Sequence, residues 1–467
     1  MGFIQKIRAF FMFDERKTDF KKEFVGGVVT FLAMSYILVV NPGIVSGRFS
    51  GNEASGILIP YGAVFVATAL GSVLATILMA LVAKLPVALA PGMGVNAFFV
   101  TIVLSKGFTW QEALAVSFIG GLIFLALTFT NVRKTLINAI PNSLKAAIGA
   151  GIGFFIATVG LRLTNVFKMD PVNGFSLGDF SDPVVLLSLF SIVLIVLVSA
   201  INKKISHFSF IISILGTCLL GIIMRYGFGL TNFGIPEFGI FDYSPLKDIK
   251  SVAFVGVFDG FKTLFSSHNI IEILFVIFAF VFVDIFDTAG TLIAVGKSAN
   301  LEDENGQIEN IDKALFADAV GTVISSTLGT PEITSYVEST TGVESGARTG
   351  FSSIVVAVLF LVSLVLFPVF NVFTSSAVTA GALVYVGVLM SKQIGEIDWS
   401  DLASSVSSFM VILMMVLTGS IADGIAFGFI FYALVKLIQG KGKEVHPIVY
   451  GTSVLFILYF VLMSVWF

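Results

Sequence analysis

Apolar segments, most of them long enough to cross a membrane, recur along the whole chain. They fall into two sets of seven, followed by one further segment. The segments are 24–43, 60–83, 87–105, 110–130, 139–161, 184–200 and 205–226, then 270–296, 311–328, 331–346, 350–370, 372–392, 402–419 and 421–438, and last 446–467. Only 12% of the 467 residues are charged, whereas soluble domains carry about 25%. Since a transmembrane helix needs about 20 apolar residues, the pattern predicts an all-α polytopic membrane protein with 14 transmembrane segments and an extra C-terminal hydrophobic segment.

Two of these segments are interrupted at corresponding places. In the third segment, Pro91 and Gly92 follow the apolar residues 85–90. In the tenth, Pro331 precedes 333–341, a stretch rich in serine and threonine. Proline has no backbone N–H and breaks a helix. Segments interrupted by Pro and Gly at matching positions in the two halves of a transporter point to its substrate site.

The two sets of segments also resemble each other in sequence. Residues 67–76 (ATALGSVLAT) correspond to 317–326 (ADAVGTVISS), and 147–151 (AIGAG) correspond to 377–381 (AVTAG). Because each set has an odd number of segments, the second copy must enter the membrane from the opposite side. The pattern therefore predicts a 7+7 inverted repeat.

The basic residues predict the orientation of the chain. Residues 1–23 are amphipathic, with lysines and arginines among phenylalanines, and lack the apolar core of a cleavable signal. Lysines and arginines are also more frequent in the connections that this layout places on the side of the N-terminus. By the positive-inside rule, the N-terminus of this multi-pass plasma-membrane protein is predicted to be cytoplasmic. Whether 446–467 also crosses the membrane stays open.

Composition and motifs exclude several classes of function. The net charge of −3 is too small to indicate a nucleic-acid partner. Cys218 is the single cysteine, so neither an intramolecular disulfide nor a cysteine metal cage can form. The sequence contains no metal-ligating or nucleophile–base constellation and no Walker motif. It therefore predicts neither an enzyme nor a bound metal or cofactor.

The eighth segment carries two aspartates among apolar residues. Asp284 and Asp287 are three residues apart, so they share a helix face with Thr288 and Thr291. A charge inside a membrane costs several kcal/mol and usually has a function. Asp284 is deeper and is the predicted substrate or proton carboxylate, whereas Asp287 has a supporting or structural role. The alternative is that one or both lie near the cytoplasmic end, within reach of solvent.

Glu338 is the second candidate. It follows Pro331 by two helical turns in a short segment that also contains Thr334. A helix that begins inside the membrane leaves unpaired N–H groups at its start, and these can donate to a ligand while a carboxylate accepts from ligand N–H groups. Glu332 lies at the helix start, where an acid that stabilises the helix dipole is an equally good interpretation.

Asn96, in the first interrupted segment, is the third candidate. Its side chain both donates and accepts hydrogen bonds, which suits a planar heterocycle. The alternative is a hydrogen bond that ties the broken helix to its neighbour. Asp318, in the ninth segment, either braces the site or takes part in proton coupling.

Four stretches together resemble a known family. They are Phe24–Pro42, Ala90–Ala97, Asp284–Thr291 and Thr334–Val343. Over nearly its whole length the chain resembles the nucleobase–cation symporter-2 superfamily, specifically its AzgA-like branch of adenine, guanine and hypoxanthine permeases.

The resemblance implies a fourteen-helix fold divided into a core that binds substrate and a gate. Short strands are expected before the broken third and tenth helices. The corresponding regions are a cytoplasmic N-terminus (1–23), a core (24–130 and 270–370), a gate (131–226 and 371–440), an extracellular connection (227–269) and a C-terminal hydrophobic segment (441–467).

The resemblance also implies where the substrate binds. A purine base would lie between the broken helices, held by Asp284, Glu338 and Asn96. Apart from the resemblance, Thr288 and Thr334 are added to the predicted substrate-binding set. The implied activity is proton-coupled uptake of hypoxanthine, guanine or adenine by alternating access. The expected partners are the base, protons, membrane lipid and a second copy in a homodimer.

Proton coupling is assigned to Asp284, Glu338 and Asp318. Two departures favour the AzgA type over xanthine and uracil carriers. The residues after Glu338 lack the asparagine of the xanthine branch, and Thr288 stands where uracil carriers have histidine. The alternative function is transport of uracil, xanthine or an inorganic anion by the same fold.

Overall fold

The computed structural model describes residues 2–48, 52, 55–130, 139–170, 174–201, 208–230, 242–301, 308–372 and 375–466. The α-helices in these ranges are α1 (Phe3–Phe10), α2 (Phe20–Met34), α3 (Ile37–Val45), α4 (Tyr61–Leu78), α5 (Met93–Lys106), α6 (Trp110–Thr128), α7 (Asn142–Leu163), α8 (Pro183–Ile201), α9 (Ser209–Phe228), α10 (Ile249–Val252), α11 (Val255–Ser267), α12 (Ile270–Ser298), α13 (Ile311–Leu328), α14 (Ser339–Glu344), α15 (Gly350–Val365), α16 (Phe367–Val372), α17 (Ser376–Ser391), α18 (Leu402–Thr418), α19 (Ile421–Ile438) and α20 (Pro447–Trp466). The strands are β1 (Leu89–Ala90), β2 (Phe167–Asp170), β3 (Gly174–Leu177) and β4 (Thr334–Ser335).

Many of these helices have the length and apolar composition of membrane spans. Within the described residues, eight helical stretches meet both criteria. They are Phe20–Val45, Tyr61–Ala83, Trp110–Thr128, Asn142–Leu163, Pro183–Ile201, Ser209–Phe228, Ser376–Glu396 and Ile421–Ile438. Several shorter apolar helices accompany them, including α5, α15 and α18. The prediction of a helical multi-pass membrane protein is confirmed, and the exact 7+7 inverted layout stays a prediction.

The two interrupted segments meet as a pair of short strands. Leu89 pairs with Ser335 and Ala90 with Thr334, in antiparallel register. Each strand is followed by a helix shorter than most of the other spans, α5 or α14. The helix before β4, α13, ends at Leu328 and is capped by Gly329, whose φ of +111° favours glycine. Short strands before the broken third and tenth helices are therefore confirmed.

The helices pack in two groups. In one, α2 and α4 pack against α15, while α13 packs against α4 and α6. In the other, α17 packs against α7 and α8, while α18 packs against α7 and α19. Small residues allow this close approach, since a Cβ on Gly387 of α17 would lie 2.6 Å from the carbonyl oxygen of Gly153 of α7. The division of the chain into a core and a gate stays a prediction.

The N-terminal segment is fastened to the first group of helices by Arg16. The Arg16 guanidinium donates to the carbonyl oxygens of Lys84 at 2.6 Å and Arg348 at 3.0 Å. It also pairs with Glu309 at 3.0 Å. The buried guanidinium of Arg16 therefore links the connections between helices that contain Lys84, Glu309 and Arg348.

Glu23 of α2 is fully buried and caps the start of α15. Its carboxylate accepts from the backbone N–H groups of Arg348 at 2.8 Å and Ser352 at 3.2 Å, and from the Thr18 hydroxyl at 2.8 Å. The Arg348 and Ser352 N–H groups lie at the start of α15, where backbone donors have few partners within the helix.

Replacing Glu23 with alanine is expected to destabilise the protein by about 2–3 kcal/mol, because several buried donors lose their acceptor. The measurement is thermal unfolding of the purified protein in detergent. The matched control is Glu23→Gln, which keeps one acceptor oxygen and should lie between the alanine variant and the parent. Equal melting temperatures for all three would contradict the capping role.

Two sequence predictions have partial outcomes. The C-terminal hydrophobic segment forms α20, whose Phe456 contacts Phe278, Phe282 and Phe429, and its crossing of the membrane stays open. Asp287 lies in α12, but its side chain is outside the described part of the structure.

Candidate functional site

Side chains cross-link the two strands and the segments around them. The Tyr336 N–H donates to the carbonyl oxygen of Ala88 at 3.0 Å, and the Ala88 N–H donates to the Ser339 hydroxyl at 3.0 Å. The Thr76 hydroxyl accepts from the Leu89 N–H at 3.0 Å. These bonds satisfy backbone groups that no water would reach inside a membrane, and they hold both half helices in a fixed relation.

Glu338 is the residue immediately before α14 and is buried. Its Oε1 accepts from the hydroxyl of Tyr36 at 2.8 Å. The Tyr36 ring stacks on Phe210 with centroids 5.0 Å apart, and Phe210 meets Tyr385 edge-on at 5.6 Å. Tyr36 thus joins the carboxylate of the tenth segment to aromatic residues of α9 and α17.

Asp284 is buried in α12. The hydroxyls of Thr288 and Thr322 each lie 3.4 Å from one of its carboxylate oxygens. The Thr322 hydroxyl also donates to the carbonyl oxygen of Ile333 at 3.1 Å, so Asp284 is linked to the backbone beside β4.

Asp318 is fully buried and belongs to the same network. It accepts from the hydroxyls of Thr288 at 2.7 Å and Ser335 at 3.0 Å. The hydroxyls of Thr288 and Thr334 lie 2.8 Å apart. The structure thus brings together four of the predicted site residues, and it joins the Thr288 and Thr334 hydroxyls to each other beside Asp318.

Asn96 lies in the first turn of α5 and is bonded to a neighbouring helix. Its Nδ2 donates to Oδ1 of Asn41 in α3 at 2.5 Å. Asn41 in turn donates to the hydroxyls of Thr68 at 2.8 Å and Thr330 at 3.0 Å. The tie to a neighbouring helix is therefore present, while Oδ1 of Asn96 is buried with no hydrogen-bond partner among the described residues.

Sequence reasoning missed Tyr36 and Asn41. Both are residues with polar groups inside the apolar first segment, and the Asn41–Pro42 pair sits where an uninterrupted helix would be expected. Polar groups in an otherwise apolar segment are the sequence signal that could have identified both residues. The fully buried Glu332 lies near the start of α5, since a Cβ on Gly92 would be 3.4 Å from its Oε1. This place suits an acid that stabilises the helix dipole.

No trio of His, Cys, Asp and Glu in the described residues is arranged to hold a metal ion. The chemistry that the site offers is hydrogen bonding by buried carboxylates, hydroxyls and amides. Such a set can bind a small polar ligand and hold or release a proton.

The fold is similar to that of solved transporters. The transmembrane domain of the bicarbonate transporter BicA from a cyanobacterium matches with a TM-score of 0.56 and 17% sequence identity, covering 87% of this chain and 97% of that chain. At this identity the likeness concerns the fold alone.

Named relatives match this chain over almost its whole length. The guanine/hypoxanthine permease PbuG of Bacillus subtilis is 43% identical over 459 residues, which cover 98% of this chain and 100% of PbuG. The adenine permease AdeP of Escherichia coli is 36% identical over 458 residues, which cover 98% of this chain and 96% of AdeP. The family resemblance predicted from the sequence is confirmed. Because the model of the permease family also matches residues 21–427, the chain belongs to this family, whose members are transporters and not enzymes.

Proposed function

We propose that this protein takes up purine nucleobases together with protons across the plasma membrane by alternating access, with its N-terminus in the cytoplasm. The observation that carries the proposal is the pairing of the two broken helices, with Glu338 and Asp284 buried beside the strands. The descriptions of PbuG and AdeP support purines as the substrate class.

The chemistry of the site favours a ligand with N–H donors. Glu338 and Asp284 carry carboxylates, and Asn96 has a buried carbonyl oxygen without a described partner. All three groups can accept from the ring and amino N–H groups of a purine. An inorganic anion would instead require cations or N–H donors, and two buried acids would repel it.

The same carboxylates suit proton coupling. An ionised carboxylate is costly to carry through the hydrocarbon layer, so a proton taken up on Asp284 or Glu338 removes a charge from the moving core. Asp318, which shares the Thr288 hydroxyl with Asp284, is placed to brace this network or to receive the proton in turn.

Movement of the core against the gate would alter the contact between Tyr36 and Phe210. Tyr36 bonds to Glu338 while its ring stacks on Phe210 of α9. In this mechanism a change in the bonding of Glu338 therefore alters the Tyr36–Phe210 contact at the core–gate boundary.

Dimer formation, implied by the family resemblance, stays a prediction.

A cavity of about 360 Å³ lies between α5, α12 and the connection from α18 to α19. It is lined by both apolar and polar side chains, including Phe98, Thr101 and Ala279. Asn96 precedes Phe98 by two residues on α5, and the orientation proposed here puts the cavity on the extracellular side. We propose that it is the route by which the base reaches the site.

The test of function is uptake of labelled hypoxanthine by cells or proteoliposomes containing the protein. Unlabelled purines should compete, pyrimidines should not, and a protonophore should abolish accumulation. Uptake competed by uracil but not by purines would overturn the substrate class. Accumulation that persists with the protonophore would overturn proton coupling.

The cavity can be tested separately, because Cys218 is the single cysteine and is buried. In a Cys218→Ser background, Thr101→Cys is expected to react with a membrane-impermeant maleimide from outside and to lose uptake, with protection by excess hypoxanthine. The matched control is Ser181→Cys, at an exposed position of the connection between α7 and α8 that the proposed orientation places outside, where labelling should proceed at a rate that hypoxanthine does not change. Labelling at position 101 that hypoxanthine does not slow would remove the cavity from the route.

A further inference from the structure

We propose that Asn41 is a positioning residue that makes Asn96 present its carbonyl oxygen, and not its amide N–H, to the substrate. The site would therefore select purines that carry a ring N–H at the position facing α5. This inference rests on the proposed function, and it adds a residue and a rule of selectivity to it.

A series of hydrogen bonds runs from Thr68 through Asn41 to Asn96. A backbone carbonyl group at its start determines which atom donates in each bond. The hydroxyl of Thr68 donates to the carbonyl oxygen of Val64 at 2.7 Å, and a carbonyl oxygen can only accept. With its one proton used, the Thr68 oxygen can only accept from Asn41, 2.8 Å away. The atom of Asn41 that faces Thr68 must therefore be the amide nitrogen.

The hydroxyl of Thr330, the second hydroxyl bonded to Asn41, supports this orientation of the Asn41 amide. The amide nitrogen of Asn41 also lies 3.0 Å from the hydroxyl oxygen of Thr330, so both of its N–H groups have acceptors. The carbonyl oxygen of Asn41 then faces Asn96, 2.5 Å away, and requires a donor there. Turning the Asn41 amide over would place its oxygen against Thr68 and its N–H groups against those of Asn96.

Asn96 is the last member of this chain. Its amide nitrogen is bonded to Asn41, and its carbonyl oxygen is buried without a hydrogen-bond partner among the described residues. Buried acceptors in proteins are nearly always satisfied. Because Asn96 lies in the first turn of one of the two broken helices, the group that would satisfy it is an N–H of the bound base.

The order of these hydrogen bonds distinguishes the residue that positions Asn96 from the residue that would contact the ligand. Asn41 is fully buried. Its amide nitrogen is bonded to Thr68 and Thr330, and its carbonyl oxygen is bonded to Asn96. It would act on the ligand only through the orientation of Asn96. A change at Asn41 should therefore alter preference among ligands and not only their overall affinity.

The experiment compares Asn41→Leu with Asn41→Asp, which keeps an acceptor facing Asn96. Inhibition constants are measured against labelled hypoxanthine uptake for hypoxanthine and for analogues methylated at one ring nitrogen each. In Asn41→Leu we expect the affinity for hypoxanthine to fall roughly tenfold, with the affinity for one methylated analogue unchanged. Asn41→Asp should keep the parental ratio. Thr68→Val, a smaller change at the other end of the chain, should shift the ratio in the same direction by less.

The outcomes are distinguishable from a failure of the proposed function. If the unmodified protein takes up no purine, the function itself is wrong. If it does, and Asn41→Leu lowers the affinity for all ligands by one common factor or changes none, Asn41 has a structural role only and the inference is overturned. The amount of each variant in the membrane is measured alongside, so that loss of protein is not read as loss of affinity.

Discussion

Replacing Glu338 with glutamine is expected to abolish hypoxanthine and guanine uptake while leaving the protein in the membrane. The Glu338 carboxylate is buried and accepts from Tyr36 at 2.8 Å, so it is the group of the tenth segment that can meet ligand N–H groups. Hydrogen bonds to a charged group are worth about 1.5–3 kcal/mol, and losing such a contact corresponds to a factor of about 100 in affinity. Initial uptake rates, normalised to the protein found in the membrane, measure the effect.

The matched variant for Glu338 is Tyr36→Phe. It keeps the ring that stacks on Phe210 and removes only the hydroxyl bonded to the carboxylate. We expect roughly a tenfold loss of affinity for hypoxanthine, because one neutral donor is lost and the carboxylate remains. Normal uptake by Glu338→Gln would show that the substrate carboxylate lies elsewhere. In that case Tyr36 would be a packing residue only.

Replacing Asp284 with asparagine is expected to remove proton-driven accumulation of purine while leaving exchange of base across the membrane. Asparagine has nearly the same shape and keeps an acceptor oxygen for one of the hydroxyls of Thr288 and Thr322, which lie 3.4 Å from the two carboxylate oxygens, but it cannot take up a proton. Net uptake should therefore fall to the level that a protonophore leaves in the parent protein and become insensitive to the protonophore. Exchange of labelled for unlabelled hypoxanthine in loaded vesicles should persist.

Asp318→Asn is the comparison for Asp284. The carboxylate of Asp318 accepts from Thr288 and Ser335 at 2.7 and 3.0 Å, and so it braces α12 against β4. We expect lower thermal stability with proton coupling retained. The opposite pattern, with coupling lost in Asp318→Asn and retained in Asp284→Asn, would make Asp318 the proton carrier.

Local features of the sequence were sufficient to predict a helical multi-pass membrane protein and to select most of the candidate residues. Apolar length predicts spans because hydrocarbon accepts only backbones that satisfy their own hydrogen bonds. Pro91 and Pro331 mark the breaks because proline cannot continue a helix. Asp284, Glu338 and Asp318 stand out because an acid in an apolar segment is costly.

The partners of these residues could not be predicted in the same way. Tyr36 and Glu338 are 302 positions apart, and Asn41 and Thr330 are 289 apart. The two-residue strands β1 and β4 are too short to produce a periodic pattern, and they were expected from the family resemblance alone. Their register is set by contacts between the two halves of the chain.

What the sequence by itself determined is therefore the kind of molecule and the inventory of polar groups: a permease-family chain with broken third and tenth segments and buried acids beside them. Only the tertiary structure decided which of those groups are bonded to each other. It bonded Asn96 to Asn41, joined the Thr288 and Thr334 hydroxyls beside Asp318, and brought Tyr36 to Glu338. The reason is physical, because a side chain's composition sets which hydrogen bonds it can make, whereas the packing of distant helices sets which of them it does make.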